Sequence, residues 1–161
     1  MQKTLSEKNS GLIRIVDEGM DHLNRYFIGQ IARVQKTFTE DDVTGWSSLT
    51  HDYNDVYGLD ISKRDGRSSM VPGILSEGLI TEAISKELPE GPCVIIQKEL
   101  VFIQPVQIDS TITAEIEIID VDIQRHWITM KVRCMNEQRI DVIQGKIMIK
   151  LLSEGGIKRW N

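Results

Sequence analysis

The sequence predicts an α+β domain in which an antiparallel sheet of five or more strands surrounds one long apolar helix. Residues 73–88 hold apolar or small side chains around most of about four helical turns, which is typical of a buried helix. After residue 92 the spacing of apolar residues changes from the helical period to alternation, as in strands. A sheet curled around such a helix buries it well, and few other two-layer arrangements would.

The first element with a clear pattern is a strand at residues 31–38, followed by a helix. Thr39 supplies a hydroxyl that commonly caps a helix, and the acidic residues 40–42 suit the positively polarised first turn. We expect this helix to end near Asn54. Residues 1–27 have mixed character and form an N-terminal extension of uncertain structure. The apolar residues of the helix fall near helical spacing: Val43, Trp46, Leu49 and Tyr53.

The central helix, residues 73–88, is closed by residues 89–92, where two prolines and a glycine interrupt helical geometry. The strands follow. One runs over residues 94–104, and the others alternate apolar and polar side chains at 112–118, 128–134 and 145–151. Such alternation indicates strands with one face packed and the other wet or paired.

Composition and charge restrict the classes of partner. The chain has 161 residues, of which 40% are hydrophobic and 27% charged, which is enough for one hydrophobic core without disulfides or structural metals. Its formal net charge of -5 argues against nucleic acid or an anionic membrane as partner. The first ten residues lack the apolar middle of a secretion signal and no long apolar stretch is present, so we expect a cytoplasmic protein. Cys93 and Cys134 lie in apolar stretches and are expected to be buried thiols.

Residues 48–57 carry the most informative polar side chains. Asp52 and Tyr57 are five residues apart, so on a continuous helix they would lie about 140° from each other. They converge only if the helix breaks between them. Asn54 and Asp55 favour a break, because their side chains compete for backbone hydrogen bonds. A helix end with solvated polar residues explains the same pattern more simply.

Five segments in collinear order carry the motifs of one known family. They are FTEDDV at 38–43, LTHDYNDVY at 49–57, VPGIL at 71–75, FIQPV at 102–106 and TITA at 111–114. These segments resemble those of the MaoC-like hydratases, the (R)-specific enoyl-CoA hydratases with a hot-dog fold. The resemblance implies a hot-dog domain over residues 28–152, with 153–161 as a C-terminal tail.

The resemblance also implies roles for individual residues. In the family an Asp and a His five residues later hold the water that adds to, or leaves from, the double bond of a 2-enoyl thioester. Here Asp52 keeps the first position, Asn54 keeps the orienting amide and Tyr57 replaces the His. The backbone N–H of Gly73 would hold the thioester oxygen. A phenol, with a usual pKa of about 10, is mostly a donor, so activity should fall unless Tyr57 or the neighbouring His51 takes over proton transfer.

Further residues are candidates for substrate binding. Thr81 matches a family hydroxyl position near the water, although a threonine bonded to its own helix backbone would look the same. A loop carries three cations that could bind the phosphates of coenzyme A or phosphopantetheine, or could simply be solvated: Lys63, Arg64 and Arg67. The carrier belongs to the substrate, so no separate cofactor is expected. No metal is expected either, because the histidines and cysteines show no ligand spacing.

Three functions fit these residues. The first is a hydro-lyase that adds or removes water at a 2-enoyl or 3-hydroxyacyl thioester of coenzyme A or acyl carrier protein. The second is a non-catalytic protein that binds an acyl thioester or merely dimerises, and the third is a thioesterase. The resemblance implies a homodimer, and long alternating strands such as 111–123 leave edges that need cover.

Overall fold

The computed structural model describes residues 25–60, 62, 69–89 and 91–152, so most of the N-terminal extension and all of the C-terminal tail lie outside the described residues. No helix in these ranges is long and apolar enough to cross a membrane. The elements are β1 Ile31–Thr37, α1 Glu40–Thr50, a 3-10 helix Asp55–Tyr57, β2 Met70–Val71, α2 Gly73–Lys86, β3 Cys93–Phe102, β4 Val106–Gln107, β5 Thr111–Asp122, β6 Trp127–Met135 and β7 Asp141–Leu151.

Five strands form one antiparallel sheet in the order β1-β5-β6-β7-β3, which confirms the predicted α+β architecture. Strands β5, β6 and β7 form a meander, while β1 and β3 occupy the two edges. The expectation that the strand at 111–123 leaves an open edge is wrong, because β5 pairs with β1 on one side and β6 on the other. Strands β2 and β4 pair separately in a small second sheet. The sequence did not reveal that second sheet, because two residues are too few to display a period.

Alternation along the strands separates a core face from an outer face. The four inward residues of β5 are 0% exposed: Ile112, Ala114, Ile116 and Ile118. Helix α2 lies across β5, β1 and β6 and buries its apolar side chains there, as predicted: Leu79, Ile80, Ala83 and Ile84. Each large aliphatic side chain buried in this way contributes about 1.5–3 kcal/mol. This packing fixes the position of the α2 N-terminus.

Helix α1 begins as predicted and ends earlier than predicted. The Asp42 N–H donates to Thr39 Oγ1 over 3.3 Å and the Thr39 N–H donates to Asp42 Oδ2 over 2.9 Å, a reciprocal cap. The second bond holds the pKa of the Asp42 carboxyl below its usual value. The expected end near Asn54 is wrong, because His51 is left-handed (φ 59°) and its N–H closes the helix on the Ser47 carbonyl.

A partly buried ion pair joins α2 to the edge strand β3. Glu77 is buried on α2, and its carboxylate accepts a short charged hydrogen bond from Lys98 on β3. Removing Lys98 would leave the Glu77 carboxylate buried without its partner, which is costly. The pair therefore holds the helix against β3 in one alignment.

The cysteines behave largely as expected. Cys134 is buried, and burial together with the charges of Glu77 and Asp141 raises the pKa of its thiol to about 12. Cys93 is only half-buried, and burial raises the pKa of its thiol as well. Both are free thiols. Their high pKa values make both of them poor nucleophiles near neutral pH.

We expect Gly145→Ala to destabilise the protein by about 1–3 kcal/mol, the usual cost of overpacking. A Cβ at Gly145 would overlap the Glu99 carbonyl oxygen and lie 2.9 Å from the Leu100 Cα, both in β3. Gly78→Ala on α2 is the matched control, since nothing lies within 4 Å of its Cβ position and alanine favours helix by about 1 kcal/mol. Denaturant unfolding of both variants measures these changes. Equal stability of Gly145→Ala and the parent chain would contradict the predicted overlap.

Candidate functional site

The chain reverses direction immediately after α1. Beyond the left-handed His51, the Asn54 side chain accepts a hydrogen bond from the Val56 N–H over 3.2 Å and so caps the 3-10 helix. Gly58 (φ 63°) ends that helix in a second left-handed position. The predicted break between Asp52 and Tyr57 is confirmed, although it begins one residue before Asp52.

This reversal brings the Tyr57 phenol to the Asp52 carboxylate. Tyr57 Oη donates to Asp52 Oδ2 over 2.7 Å, and both side chains are half-buried. Burial, the hydrogen bond to Asp52 and the negative charge of Asp52 raise the pKa of Tyr57 to about 12. The phenol is therefore a permanent hydrogen-bond donor near neutral pH, whereas an imidazole would titrate there.

Tyr57 and Gly73 line one cavity of about 320 Å³. Ser76 lies on the same wall, one helical turn after Gly73. The rest of the lining is mostly apolar and comes from the 3-10 helix, the small sheet, the end of β3 with the segment after it, and β7: Val56, Met70, Val71, Phe102, Ile103, Gln104, Pro105, Val106 and Ile143. An apolar pocket with a few convergent polar groups is a typical small-molecule site.

The N-terminus of α2 offers free backbone donors to this cavity. Pro72 provides no side-chain cap, and its carbonyl accepts from the N–H groups of Leu75 and Ser76. The N–H of Gly73 precedes these and has no helical acceptor. A Cβ at Gly73 would lie 2.9 Å from the Phe102 ring. Glycine at this position therefore lets the aromatic ring approach the helix end.

The remaining predicted site residues lie elsewhere. Asn54 is exposed and its amide oxygen serves the 3-10 helix, so its role in orienting water stays a prediction. Thr81 is exposed on α2, and neither Thr81 nor the exposed His51 lines the cavity. Their predicted contacts with substrate stay predictions. The proposed phosphate-binding cations lie outside the described residues: Lys63, Arg64 and Arg67.

Two features of the cavity were missed by the sequence reading. Ser76 was not considered, although its spacing of three from Gly73 places it on the same helix face. The segment from Phe102 to Val106 matched a family motif but was not expected to form the cavity wall. Only the folded chain shows that β3 and its extension turn back across the α2 N-terminus.

No protein-family model matches the chain. Two proteins of known activity do resemble it. A mitochondrial 3-hydroxyacyl-[acyl-carrier-protein] dehydratase of Solanum lycopersicum is 30% identical over 130 residues, which cover 78% of each chain. The (R)-specific enoyl-CoA hydratase of Rhodospirillum rubrum is 25% identical over 129 residues, covering 79% of this chain and 89% of that protein.

Solved structures share the fold. The (R)-hydratase of Aeromonas caviae involved in PHA biosynthesis superimposes with a TM-score of 0.73 at 24% identity, covering 79% of this chain and 98% of that one. The MaoC-like dehydratase of Rhodospirillum rubrum gives a TM-score of 0.64 at 10% identity, with 81% of this chain and 97% of that one covered. The hot-dog fold expected from the sequence is confirmed.

The Asp52–Tyr57 contact predicts how the phenol titrates. We expect Tyr57 to ionise near pH 12, and Asp52→Asn to lower that pKa because it removes the charge and weakens the accepted hydrogen bond. Burial is the largest cause of the shift, so the pKa should stay above 10. Ultraviolet titration of tyrosinate, with Tyr57→Phe subtracted to isolate this phenol, measures it. An unchanged Tyr57 titration in Asp52→Asn would contradict the contact.

Proposed function

The chain belongs to the MaoC-like family of hot-dog hydratases and dehydratases, and we propose that it is a hydro-lyase acting on acyl thioesters. The reaction is the addition of water to a 2-enoyl thioester or its removal from a 3-hydroxyacyl thioester. Relatives carry names that specify coenzyme A in one case and acyl carrier protein in another, so both carriers are candidates here.

One observation carries the proposal. Asp52 is held by a 2.7 Å hydrogen bond to Tyr57, and Tyr57 shares a cavity with the free end of α2 at Gly73. The phenol and the helix N-terminus thus share one small, mostly apolar volume, and the Asp52 carboxylate is joined to it through the phenol, although Asp52 itself does not line the cavity. Hydration of an enoyl thioester requires a base, an acid and a donor for the thioester oxygen, and these three groups supply them.

In the proposed reaction Asp52 takes a proton from water, and the water oxygen bonds to C3 of the enoyl group. The electrons of the double bond move toward the thioester oxygen, where the Gly73 N–H and the α2 dipole stabilise the developing negative charge. Tyr57 then gives its proton to C2 and regains one from Asp52 through their hydrogen bond. The sum is the addition of one water. Dehydration follows the same steps in reverse.

The reaction in this form uses no separate cofactor, since coenzyme A or phosphopantetheine enters as part of the substrate. The cavity volume of about 320 Å³ lies at the lower end of ligand pockets and favours a short acyl group. We also propose a cytoplasmic location, on the sequence arguments given above. Cell fractionation tests that location, and a mitochondrial fraction would match the Solanum relative instead.

We further propose that the protein is a homodimer joined along β3. This edge strand has ten residues and a cluster of exposed apolar side chains at and beyond its end: Val101, Phe102 and Ile103. An apolar edge of this length invites another strand. The opposite edge, β1, is shorter and carries Arg33 and Lys36, which discourage pairing. A second copy of β3, antiparallel to the first, would cover the apolar edge on both chains.

The function is tested by assaying the hydration of crotonyl-CoA and of crotonyl-acyl carrier protein, with the loss of enoyl absorbance as the readout. We expect Asp52→Asn to lower kcat/KM by about 10²–10⁴-fold, the usual contribution of a proton-transfer group. Tyr57→Phe should lower it as well. Tyr53→Phe, an exposed phenol in the same segment, is the matched control and should be unaffected. Thiol release without loss of the enoyl group would identify a thioesterase, and binding without either reaction a non-catalytic protein.

The pH dependence separates a phenol from an imidazole. Because the pKa of Tyr57 is raised to about 12, we expect the rate to show no alkaline fall between pH 7 and 10. Tyr57→His should raise the rate most at and below about pH 6.5 and add a fall above it, where an unperturbed imidazolium loses its proton. The pH profiles of kcat for both proteins measure this. An alkaline fall in the parent chain would place the acid on another group.

We expect Val101→Lys to weaken dimerisation, because Val101 is 61% exposed on the free edge and a lysine would place a charge in the apolar contact. Ile123→Lys changes an exposed isoleucine between β5 and β6 and serves as the control. Sedimentation velocity over a concentration series reports the association. A monomeric parent chain at all concentrations would overturn the proposed dimer.

A further inference from the structure

Ser76 is a buried hydroxyl without a partner. Ser76 is one of the residues that line the cavity, it is 1% exposed, and its Oγ is buried without a hydrogen-bond partner among the described residues. A helical serine commonly bonds back to the carbonyl four residues earlier, but Ser76 Oγ makes no such bond to the Pro72 carbonyl, which accepts the backbone N–H groups of Leu75 and Ser76. The hydroxyl is therefore available to a ligand.

An unsatisfied buried hydroxyl is unfavourable. Leaving such a group without a partner costs about 1–3 kcal/mol, and native proteins keep few of them. The backbone around Ser76 is firmly held, because the Cys134 thiol on β6 contacts the Ser76 carbonyl at 3.9 Å. The Ser76 backbone is thus tied to the sheet at the place where Ser76 adjoins the cavity. A ligand in the cavity could complete its hydrogen bonding.

Helix geometry places this hydroxyl beside the free donor of Gly73. Residues three apart share one helix face, and side chains on a helix lean toward its N-terminus. Ser76 and Gly73 line the same cavity, and apolar side chains form most of the opposite wall. In such surroundings two donors on one wall attract a single acceptor oxygen of a ligand far more strongly than they would in water.

We propose that the Ser76 hydroxyl donates a hydrogen bond to the carbonyl oxygen of the bound acyl thioester, together with the Gly73 N–H. This inference rests on the proposed function and adds a second donor to it. The hydroxyl donates its proton in a hydrogen bond only, so no bond to Ser76 forms or breaks. Its contribution grows as negative charge develops on the oxygen, so it should act more on kcat than on KM.

The test compares Ser76→Ala with Ser47→Ala. Ser47 is also a buried hydroxyl without a described partner, but it lies on α1 and does not line the cavity. Both variants remove an unsatisfied buried group, so neither should unfold at a lower denaturant concentration than the parent chain. Ser76→Thr keeps a hydroxyl and serves as the rescue variant.

The first measurement is independent of turnover. Butyryl-CoA labelled with ¹³C at its carbonyl cannot be hydrated, and infrared difference spectra report hydrogen bonding to that carbonyl in the bound state. We expect the parent chain to lower the carbonyl stretching frequency, Ser76→Ala to reverse part of that shift, and Ser47→Ala to leave it unchanged. With crotonyl-CoA, kcat for Ser76→Ala should fall by about 10–100-fold, somewhat less than the loss of a full oxyanion donor, and Ser76→Thr should recover most of it.

The outcomes distinguish the two proposals. A parent chain that binds and hydrates thioesters, with a carbonyl frequency and kcat that Ser76→Ala does not change, would overturn this inference and leave the hydro-lyase function intact. A crystal complex in which Ser76 bonds only to an ordered water would do the same. A parent chain that binds no thioester would overturn the hydro-lyase function and this inference with it.

Discussion

The hydrogen bond between Tyr57 and Asp52 depends on an unusual stretch of backbone. His51 takes a left-handed conformation that costs an ordinary residue about 1–2 kcal/mol, and Gly58 takes a similar one at lower cost. The bonds that close α1 on His51 and cap the next helix with Asn54 offset this cost. Without these reversals the carboxylate and the phenol would sit on different faces of one helix.

The other half of the site depends on the core. Helix α2 is held in place by apolar packing against β5, β1 and β6, and by the ion pair between Glu77 and Lys98. Its N-terminal turn therefore stands at a fixed place relative to Tyr57. In an apolar cavity, fixed dipoles of this kind need not reorganise when charge develops on a ligand. The site thus combines one carboxylate with donors whose protonation is constant near neutral pH.

Most of the fold could be predicted from the sequence because the spacing of apolar residues along the chain indicates which segments are helices and which are strands. Alternation along β5 and the dense apolar content of α2 each identify one element. The Asp52–Tyr57 pair could be anticipated from the resemblance. The backbone reversal that brings the two side chains together could not, since nothing in the sequence indicates that His51 takes a left-handed conformation. Ser76 escaped notice for another reason: a serine's burial and lack of a partner are properties of the packed chain.

Strand β3 has two roles at once. Its final residue, Phe102, lies against Gly73, and the same strand presents the exposed apolar edge on which the proposed dimer rests. Subunit association and ligand affinity are then two sides of one thermodynamic cycle. If pairing at this edge presses Phe102 toward the helix end and so raises the affinity for a bound molecule, linkage requires that the molecule raise the affinity of the subunits for each other by the same factor.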